Sequence, residues 1–210
     1  MKSKKYNYIE EVRLLFFVVN KKNKVYNKKI KIFLGGKMKK KILESDRLLF
    51  SVWEENDIKY AKELWGDSEV TKLITASGKM NEEEIKKRLE KEIENYKKFG
   101  IQYFPLYLKE KEIFVGCCGL RPYDEEKNIL EMGIHIKKEY WGKGIATEAC
   151  REIIKYAFDF LKVSSLFAGH NPKNKDSAHL IKKLGFVYLG DEYYPPTGLY
   201  HPSYIFSEKN

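Results

Sequence analysis

Cysteine, histidine and long apolar runs are scarce in this sequence, and each shortage excludes a class of protein. Three cysteines occur in 210 residues, with Cys117 and Cys118 adjacent and Cys150 far from them. No cysteine or histidine spacing is typical of a zinc site or a disulfide framework. The longest apolar run near the start, residues 14–19, is far too short to span a bilayer, and no small-residue cleavage site follows it. We therefore expect no metal, no membrane partner and a reducing, cytoplasmic location.

Positive charge is concentrated at the beginning of the chain. The sequence carries a net charge of +10, yet residues 1–37 alone hold 11 Lys/Arg against 2 Asp/Glu. Residues 38–210 are close to neutral, with 29 basic and 28 acidic side chains. Because a basic domain surface is the usual footprint of nucleic-acid binding, we do not expect nucleic acid as a partner of residues 38–210.

The first 37 residues are interpreted as a separate basic leader. They alternate short apolar clusters with Lys/Asn runs and show no sustained hydrophobic period, which is typical of a poorly structured tail. The stretch Gly35-Gly36-Lys37 before Met38 also fits a purine-rich ribosome-binding sequence ahead of a start codon. Two interpretations stay open: translation begins at Met38, or the leader is a genuine basic tail that contacts RNA or membrane phosphates. One folded domain is predicted over residues 38–210.

Helical and strand patterns alternate through this domain. Asn81 is a predicted helix cap, because three glutamates follow it and apolar residues then recur every three or four positions as far as Gly100. Pro105 lacks a backbone donor and predicts a strand edge or a bulge, whereas residues 121–124 predict a turn. The predicted strands are 47–52, 102–108, 112–120, 129–136, 164–169, 186–189 and 203–206, the predicted helices are 56–66, 81–100, 146–161 and 174–184, and 193–201 is a predicted loop. This order predicts a mixed α/β fold.

One strand-to-helix turn offers a site for an anion. The predicted strand 129–136 is followed by Gly142 and Gly144 and then by a helix. Two glycines let the backbone approach a ligand without Cβ obstruction, and the first helical turn presents unpaired N–H groups and the positive end of its dipole. This combination suits a phosphate or pyrophosphate. The third glycine of a dinucleotide fingerprint and the Gly-Lys-Ser/Thr of a P-loop are missing, so the turn alone is equally consistent with a tight connection without a ligand.

The residues around this turn resemble a known family. Trp141-Gly142-Lys143-Gly144-Ile145-Ala146-Thr147 is similar to the acetyl-CoA pyrophosphate loop of the GNAT superfamily of N-acetyltransferases, especially the branch that includes bacterial ribosomal-protein N-terminal acetyltransferases. Asn174 and Ser177, leading to Gly185-Phe186, resemble the second signature, and Arg47-Leu48 with the acidic residues 54–57 resembles the usual opening. The resemblance covers about residues 44–207. It implies a GNAT-like α/β fold with a central, mostly antiparallel sheet, flanking helices and acetyl-CoA as co-substrate.

The resemblance also implies which residues bind the cofactor. The strand containing Ile134 and Ile136 is expected to splay from its neighbour and to offer unpaired backbone groups to the pantetheine arm. Asn174 is expected against that arm, although helix capping alone explains this residue equally well. The pyrophosphate is expected on the loop formed by Trp141, Gly142, Lys143, Gly144, Ile145, Ala146 and Thr147.

Acetyl transfer to an amine requires a group that removes a proton from the alkylammonium. Glu131 is our candidate base, because it lies on the 129–136 strand and matches a carboxylate often present there in the family. His135 has the same strand parity and shares this role in one interpretation. In the other interpretation, Glu131 is a solvated or structurally paired carboxylate and His135 is structural.

One position departs from the family pattern. Many members carry, four residues before the Gly-Phe signature, a tyrosine that serves as acid for the departing thiolate, and Ile181 stands here instead. Ser177, one turn earlier, is the nearest replacement hydroxyl, with capping and packing as its alternative roles.

These observations predict an acetyl-CoA-dependent N-acetyltransferase that acts by direct attack in a ternary complex. The acceptor is expected to be a primary amine of a protein N-terminus, an amino acid, a polyamine or an aminoglycoside, and the nearly neutral domain does not favour a highly cationic one. The resemblance places acceptor specificity in the loop 72–80. The alternatives are a non-catalytic acyl-CoA-binding module and a nucleic-acid-associated protein that acts through its leader. A monomer and a homodimer are both consistent with the sequence.

Overall fold

The computed structural model describes residues 31–34 and 37–208. The strands and helices of these residues are, in chain order, β1 (Lys31–Leu34), β2 (Lys37–Lys40), β3 (Leu43–Glu44), β4 (Leu48–Phe50), α1 (Ile58–Trp65), α2 (Ser68–Thr71), α3 (Glu82–Phe99), β5 (Tyr103–Leu108), β6 (Ile113–Asp124), β7 (Ile129–Ile136), α4 (Ile145–Lys155), β8 (Ser165–Gly169), α5 (Lys175–Lys183), β9 (Val187–Tyr194) and β10 (Leu199–Phe206). A 3-10 turn precedes α1 at Glu55–Asp57, another lies at Lys138–Tyr140, and a π-helical turn at Tyr156–Leu161 extends α4.

Eight of these strands form one sheet in the order β3-β4-β5-β6-β7-β8-β10-β9. Neighbouring strands are antiparallel throughout, except for β7 and β8, which run parallel. A parallel pair needs a long crossover connection, and α4 lies within it. The predicted mixed α/β fold with a mostly antiparallel central sheet is confirmed.

Helices cover both faces of the sheet. On one face, α1 and α3 pack around the fully buried Trp65 and Tyr107. On the other face, α4 and α5 contribute buried residues such as Ile153 and Ile181 to a second core cluster. Two of the three cysteines, Cys118 and Cys150, are fully buried in that second cluster as free thiols. Burial of these apolar faces against the sheet is the main stabilising contribution to such a fold.

The boundaries of α3 follow the predicted signals. The Asn81 side chain accepts the Glu84 N–H, and the Glu84 carboxylate accepts the Asn81 N–H in return. These two bonds satisfy backbone N–H groups that have no carbonyl partner at the start of the helix. Gly100 ends the helix in the left-handed region with φ 72°, where glycine is favoured.

The two proline-containing predictions have different outcomes. Pro105 lies in β5, which is not an edge strand, but a bulge follows it between Leu106 and Tyr107. The predicted turn at 121–124 is wrong, because β6 continues to Asp124 and stays paired with β7 through a register shift after Pro122. The shift keeps Pro122 in the strand despite its missing donor.

The predicted loop at 193–201 is also wrong in most of its length. β9 runs to Tyr194 and β10 starts again at Leu199, so that residues 195–198 form the turn of a hairpin. The tyrosines of this segment therefore belong to strands, where aromatic side chains are favoured.

The predicted domain boundary between residues 37 and 38 falls within β2, in a small hairpin formed by β1 and β2. β1 falls within the predicted leader and pairs antiparallel with β2, whereas residues 1–30 lie outside the described residues. Lys39 is buried and forms an ion pair with the buried Asp57. The division of the chain at residue 37 stays a prediction. Across the described residues, none of the helices combines the length and the apolar character needed to cross a membrane.

Candidate active site

The sheet splits next to its one parallel pair of strands. β7 and β8 are in register at only three positions, from Ile129 opposite Ser165 to Glu131 opposite Phe167. β8 continues in register with β10 alone as far as Gly169. The edge of β7 after Glu131 is therefore left without a strand partner, and a cavity of about 1170 Å³ opens there.

Alternate residues of β7 direct their backbone groups into this opening. The Lys137 N–H donates to the Val115 carbonyl over 2.9 Å, which makes Gly116 and Ile136 a non-hydrogen-bonded pair. The N–H and C=O groups of Ile134 and Ile136 consequently point away from β6 and towards the cavity. The splayed strand expected at these two residues is present in the structure.

The glycine turn immediately precedes the first residue of α4. Gly142 and Gly144 have φ values of 71° and 77°, and a Cβ on Gly142 would meet no atom within 4 Å. Gly144 is the N-cap residue, and no side chain caps the helix there. The first N–H groups of α4 therefore lack a side-chain partner, which is the arrangement that binds anions.

Trp141 and Arg47 hold this turn in place. The Trp141 indole N–H donates to the Ile136 carbonyl over 2.7 Å, so the loop is tied to β7. Arg47 donates to the Lys143 carbonyl over 3.1 Å and forms an ion pair with Glu148 at 2.6 Å. Burial opposes ionisation of Glu148, but hydrogen bonds from Ser45 and Arg47 outweigh it and lower the pKa of its carboxyl. The sequence identifies Arg47 only as part of the signature that opens the family resemblance, and no local pattern predicts its contact with the turn.

The opposite wall of the cavity includes the start of α5. Asn174 Oδ1 accepts the Ser177 N–H over 3.0 Å, so the expected capping role of Asn174 is present. Both side chains line the same cavity as the glycine turn. Ile181 is buried in the core with 6% of its surface exposed, and it brings no proton donor to the cavity.

On β7, Glu131 and His135 lie on one face of the sheet, as their parity predicts. Tyr103 of β5 reaches across Gly133, where a Cβ would stand 2.0 Å from the phenol oxygen. The Tyr103 hydroxyl donates to Glu131 Oε1 over 3.1 Å, and its ring lies 5.8 Å from the His135 ring. Burial, and then the Glu131 charge, raise the pKa of Tyr103 well above its usual value. The phenol therefore stays protonated and remains a donor to Glu131.

His135 is held as a neutral imidazole. The Trp65 indole donates to His135 Nδ1 over 3.1 Å, which assigns the imidazole proton to Nε2. Burial, followed by the charges of Arg88 and Arg121, lowers the pKa of His135 well below its usual value. This environment favours the structural interpretation of His135 over a shared role as base.

A buried ionic cluster supports Tyr103, and no motif in the sequence predicted it. Glu92 is fully buried and accepts hydrogen bonds from Arg88 Nε at 3.0 Å, from the Tyr103 N–H at 2.9 Å and from Arg121. The Arg121 guanidinium lies 4.2 Å from the centre of the Tyr103 ring. The sequence does contain an indication of this role. Glu92 lies three residues after Leu89, at a position of α3 that should face the core and be apolar.

The loop 72–80 closes over the cavity together with the β9–β10 hairpin. Lys72, Leu73 and Ile74 line the cavity. The Ala76 N–H donates to the Pro196 carbonyl over 2.8 Å, which joins the loop to the turn of the hairpin. Within residues 31–34 and 37–208, no group of three or more acidic, histidine or cysteine side chains is placed to hold a metal ion.

A sheet that splits beside a glycine turn and an uncapped helix is the arrangement that the resemblance to GNAT acetyltransferases implies. The family model described as "Acetyltransferase (GNAT) domain" matches residues 47–187, more than half of the chain. The chain belongs to this family and is an acetyltransferase; the family uses acetyl-CoA and acetylates amines.

Individual proteins are similar over most of the chain. An uncharacterized N-acetyltransferase of Bacillus licheniformis, p20, is 27% identical over 79% of this chain and 94% of its own length. A GNAT-family acetyltransferase of Bacillus anthracis has a similar structure, with a TM-score of 0.67, 26% identity and coverage of 79% and 97% of the two chains. A ribosomal-protein-S5-alanine acetyltransferase of Vibrio fischeri shares the fold, with a TM-score of 0.63, 20% identity and coverage of 79% and 95%.

Proposed function

We propose that this acetyltransferase transfers the acetyl group of acetyl-CoA directly to a primary amine within a ternary complex. One observation carries the proposal: the uncapped start of α4 and the Glu131 carboxylate both face the same cavity. The proposal thus assigns an anion site for the co-substrate and a base for the acceptor to one cavity. Direct attack needs both reactants in one cavity, because their mutual orientation supplies much of the rate enhancement.

Acetyl-CoA supplies the activated acetyl group, and the turn is expected to bind its pyrophosphate. The open space beside Gly142 and the lack of a cap at Gly144 support this position. Trp141 then acts by tying the loop to β7. The backbone groups of this turn and the first helical residues form the proposed site, which comprises Gly142, Lys143, Gly144, Ile145, Ala146 and Thr147.

The pantetheine arm is expected along the free edge of β7. Because the Ile136 carbonyl already accepts the Trp141 indole, the groups left for the arm are the Ile134 N–H and C=O and the Ile136 N–H. On the opposite wall, Asn174 Oδ1 is engaged as a cap, which leaves its amide NH2 group for the arm. A backbone N–H on the β7 edge is also our proposed donor to the oxyanion that develops during attack.

Glu131 is the proposed base. Tyr103 donates to its Oε1, which orients the carboxylate and leaves Oε2 to accept the proton of the amine, directly or through a water molecule. Removing this proton makes the nitrogen lone pair available for attack on the thioester carbonyl.

Departure of the CoA thiolate depends less on proton transfer from the protein than activation of the amine does. A thiol of this kind has a reference pKa of about 8.5, so its anion is a tolerable leaving group near neutral pH. Ser177 is the nearest hydroxyl on the α5 wall, and we propose that this residue or a water molecule protonates the thiolate late in the reaction.

A panel of primary amines tests the proposal. Wild-type protein is incubated with acetyl-CoA and N-terminal peptides, amino acids, linear amines or aminoglycosides, and both the released thiol and the mass of the acetylated product are measured. Turnover of at least one class, initial-rate patterns that intersect and no burst of acetylated enzyme support direct transfer. Parallel-line kinetics with an acetylated protein intermediate would exclude it. Acetyl-CoA binding without turnover on any amine would instead favour the non-catalytic module.

A further inference from the structure

Three carboxylates that line the cavity form no salt bridge among the described residues. Asp176 lies at the start of α5 on one wall, and Glu131 and Glu192 lie on strands of the sheet. Each of the two on the sheet is held instead by a tyrosine hydroxyl, Glu131 by Tyr103 at 3.1 Å and Glu192 by Tyr123 at 3.1 and 3.2 Å. A phenol donor occupies part of a carboxylate and leaves the negative charge in place. The sheet side of the cavity therefore presents two carboxylates at separate positions, each with a tyrosine hydroxyl as its hydrogen-bond donor.

The arginines on the cavity wall are placed near Glu131 rather than near Glu192. Arg88 and Arg121 both donate to the buried Glu92, which leaves one positive charge in this cluster, and Arg121 lies in register opposite Glu131. Glu69 is paired with Lys72 and Lys138. The lysines on and next to α5 belong to the wall on the other face of the sheet, where Ile181 of that helix joins the second core cluster.

Aromatic rings line the space around the second carboxylate. Tyr123 stacks on Phe167 with ring centres 3.9 Å apart and an interplanar angle of 6°. Phe167 is paired in register with Glu131 across β7 and β8. The stacked rings of Phe167 and Tyr123 therefore lie next to the proposed base. Tyr194 also lines this end, and burial, followed by the Glu131 charge, raises its pKa. Rings beside carboxylates form the usual recognition site of an alkylammonium group, through charge and through cation–π attraction.

We propose that the acceptor is a linear molecule with two amines, in which Glu131 receives the reacting amine and Glu192 with the Tyr123–Phe167 stack binds the other as an ammonium ion. The proposal rests on the proposed N-acetyltransferase function. The overall charge of the domain does not decide this question, because the acceptor meets each carboxylate at short range, including the exposed Glu192. The hydrogen bond between Ala76 and Pro196 joins the loop that lines the cavity at residues 72–74 to the β9–β10 hairpin that carries Glu192.

Kinetics with paired substrates test this site. Linear diamines of increasing length are compared with monoamines of the same length, and kcat/KM should be about tenfold or more higher for the diamine of optimal length, as expected for one charged contact. Glu192→Gln should raise KM for that diamine about tenfold and remove its advantage over the monoamine. Asp191→Asn is the matched control. Asp191 is adjacent and accepts a hydrogen bond from Tyr188 at 2.8 Å outside the cavity, so this variant should keep the preference.

A binding measurement separates this proposal from the proposed function. Calorimetry of the diamine with CoA-saturated protein should detect binding that Glu192→Gln weakens about tenfold and Asp191→Asn leaves unchanged. We call the proposed ammonium site at Glu192 and the Tyr123–Phe167 stack the second-amine site. If no amine is acetylated but this binding pattern is found, the second-amine site is supported and the transferase proposal fails. If amines are acetylated with no preference for diamines, or Glu192→Gln and Asp191→Asn behave alike, the second-amine site is overturned. Melting temperatures of both variants confirm that each is folded.

Discussion

The Tyr103 phenol lies directly over Gly133, at a distance that leaves no room for a side chain there. A Cβ at position 133 would stand 2.0 Å from the phenol oxygen and 2.5 Å from a ring carbon. Tyr103 is buried, with 3% of its surface exposed, and cannot move away without disturbing its surroundings. The hydrogen bond between Tyr103 and Glu131 thus requires glycine at position 133, two residues from the proposed base.

Gly133→Ala should therefore lower kcat while the protein stays folded. We expect overpacking to cost about 1–3 kcal/mol of stability and displacement of Tyr103 to reduce kcat about tenfold. Tyr103→Phe removes the hydroxyl and keeps the ring, and it should reproduce the loss of activity. Because both changes act through one contact, the double variant should lose little more than either single variant. Full additivity of the two effects in steady-state kinetics would contradict this account.

Gly144→Val should weaken acetyl-CoA binding by at least tenfold in calorimetry. The position combines a φ of 77° with the start of α4, and a Cβ there would lie 3.4 Å from the Arg47 guanidinium. A β-branched residue is strained in this region and would obstruct the approach of a phosphate. Gly100→Val is a suitable control, since Gly100 has a φ of 72° at the end of α3 and does not line the cavity. Equal affinity for Gly144→Val and wild type, in folded protein, would remove the anion site from this turn.

Glu131→Gln keeps the shape of the proposed base and removes its basicity. Near neutral pH, kcat should fall roughly 10²-fold or more, within the range of general-base catalysis. The deficit should narrow as the pH rises towards the acceptor's own pKa, about 10.4 for an alkylamine, because a neutral amine needs no base. Glu126→Gln, on the exposed turn between β6 and β7, controls for the loss of one charge. A deficit that is the same at every pH would indicate that Glu131 is structural.

Ser177→Ala tests how much the departing thiolate depends on a proton donor. We expect kcat to fall about tenfold or less, below the 10²–10⁴ typical of an essential acid or base. The cap at the start of α5 uses the Ser177 backbone N–H and survives the substitution, so the melting temperature should change little. A thousandfold loss of kcat in folded protein would instead make this serine an essential acid.

A chain that begins at Met38 should keep the melting temperature and the cofactor affinity of the full chain. It retains Lys39 and its buried ion pair with Asp57. A chain that lacks residues 1–40 leaves Asp57 buried without its partner, and breaking such a pair typically costs about 3–5 kcal/mol. Thermal unfolding of the two shortened proteins should therefore differ clearly. A large loss in the chain beginning at Met38 would show that the leader contributes to the folded domain.

Local patterns were enough to predict much of the fold. The capping box at Asn81 and the glycine turn before α4 depend on residues close in sequence, and both were found where predicted. The row Arg121, Glu131 and Phe167 has no such local signature, because it is created by the register of three strands. Tyr103 was equally invisible, since its contact with Glu131 joins residues 28 positions apart across a glycine. The segment 193–201 shows opposing local signals, because Pro195 and Pro196 favour a turn whereas the aromatic residues on either side of them favour strands.

The parallel seam between β7 and β8 has a consequence for how the domain holds together. Only three residue pairs join the strands on one side of this seam, β3 to β7, to those on the other side, β8, β10 and β9. Every other neighbouring pair except the short β3–β4 and β4–β5 pairings has at least four matched positions. Cooperative unfolding units tend to separate where few backbone hydrogen bonds cross. The Leu130 amide has the same parity as Ile134 and Ile136 and faces β8, so it should exchange with solvent hydrogen when β7 and β8 separate. A ligand bound in the split would contact strands on both sides of this seam, and its binding should stabilise the folded domain against this separation.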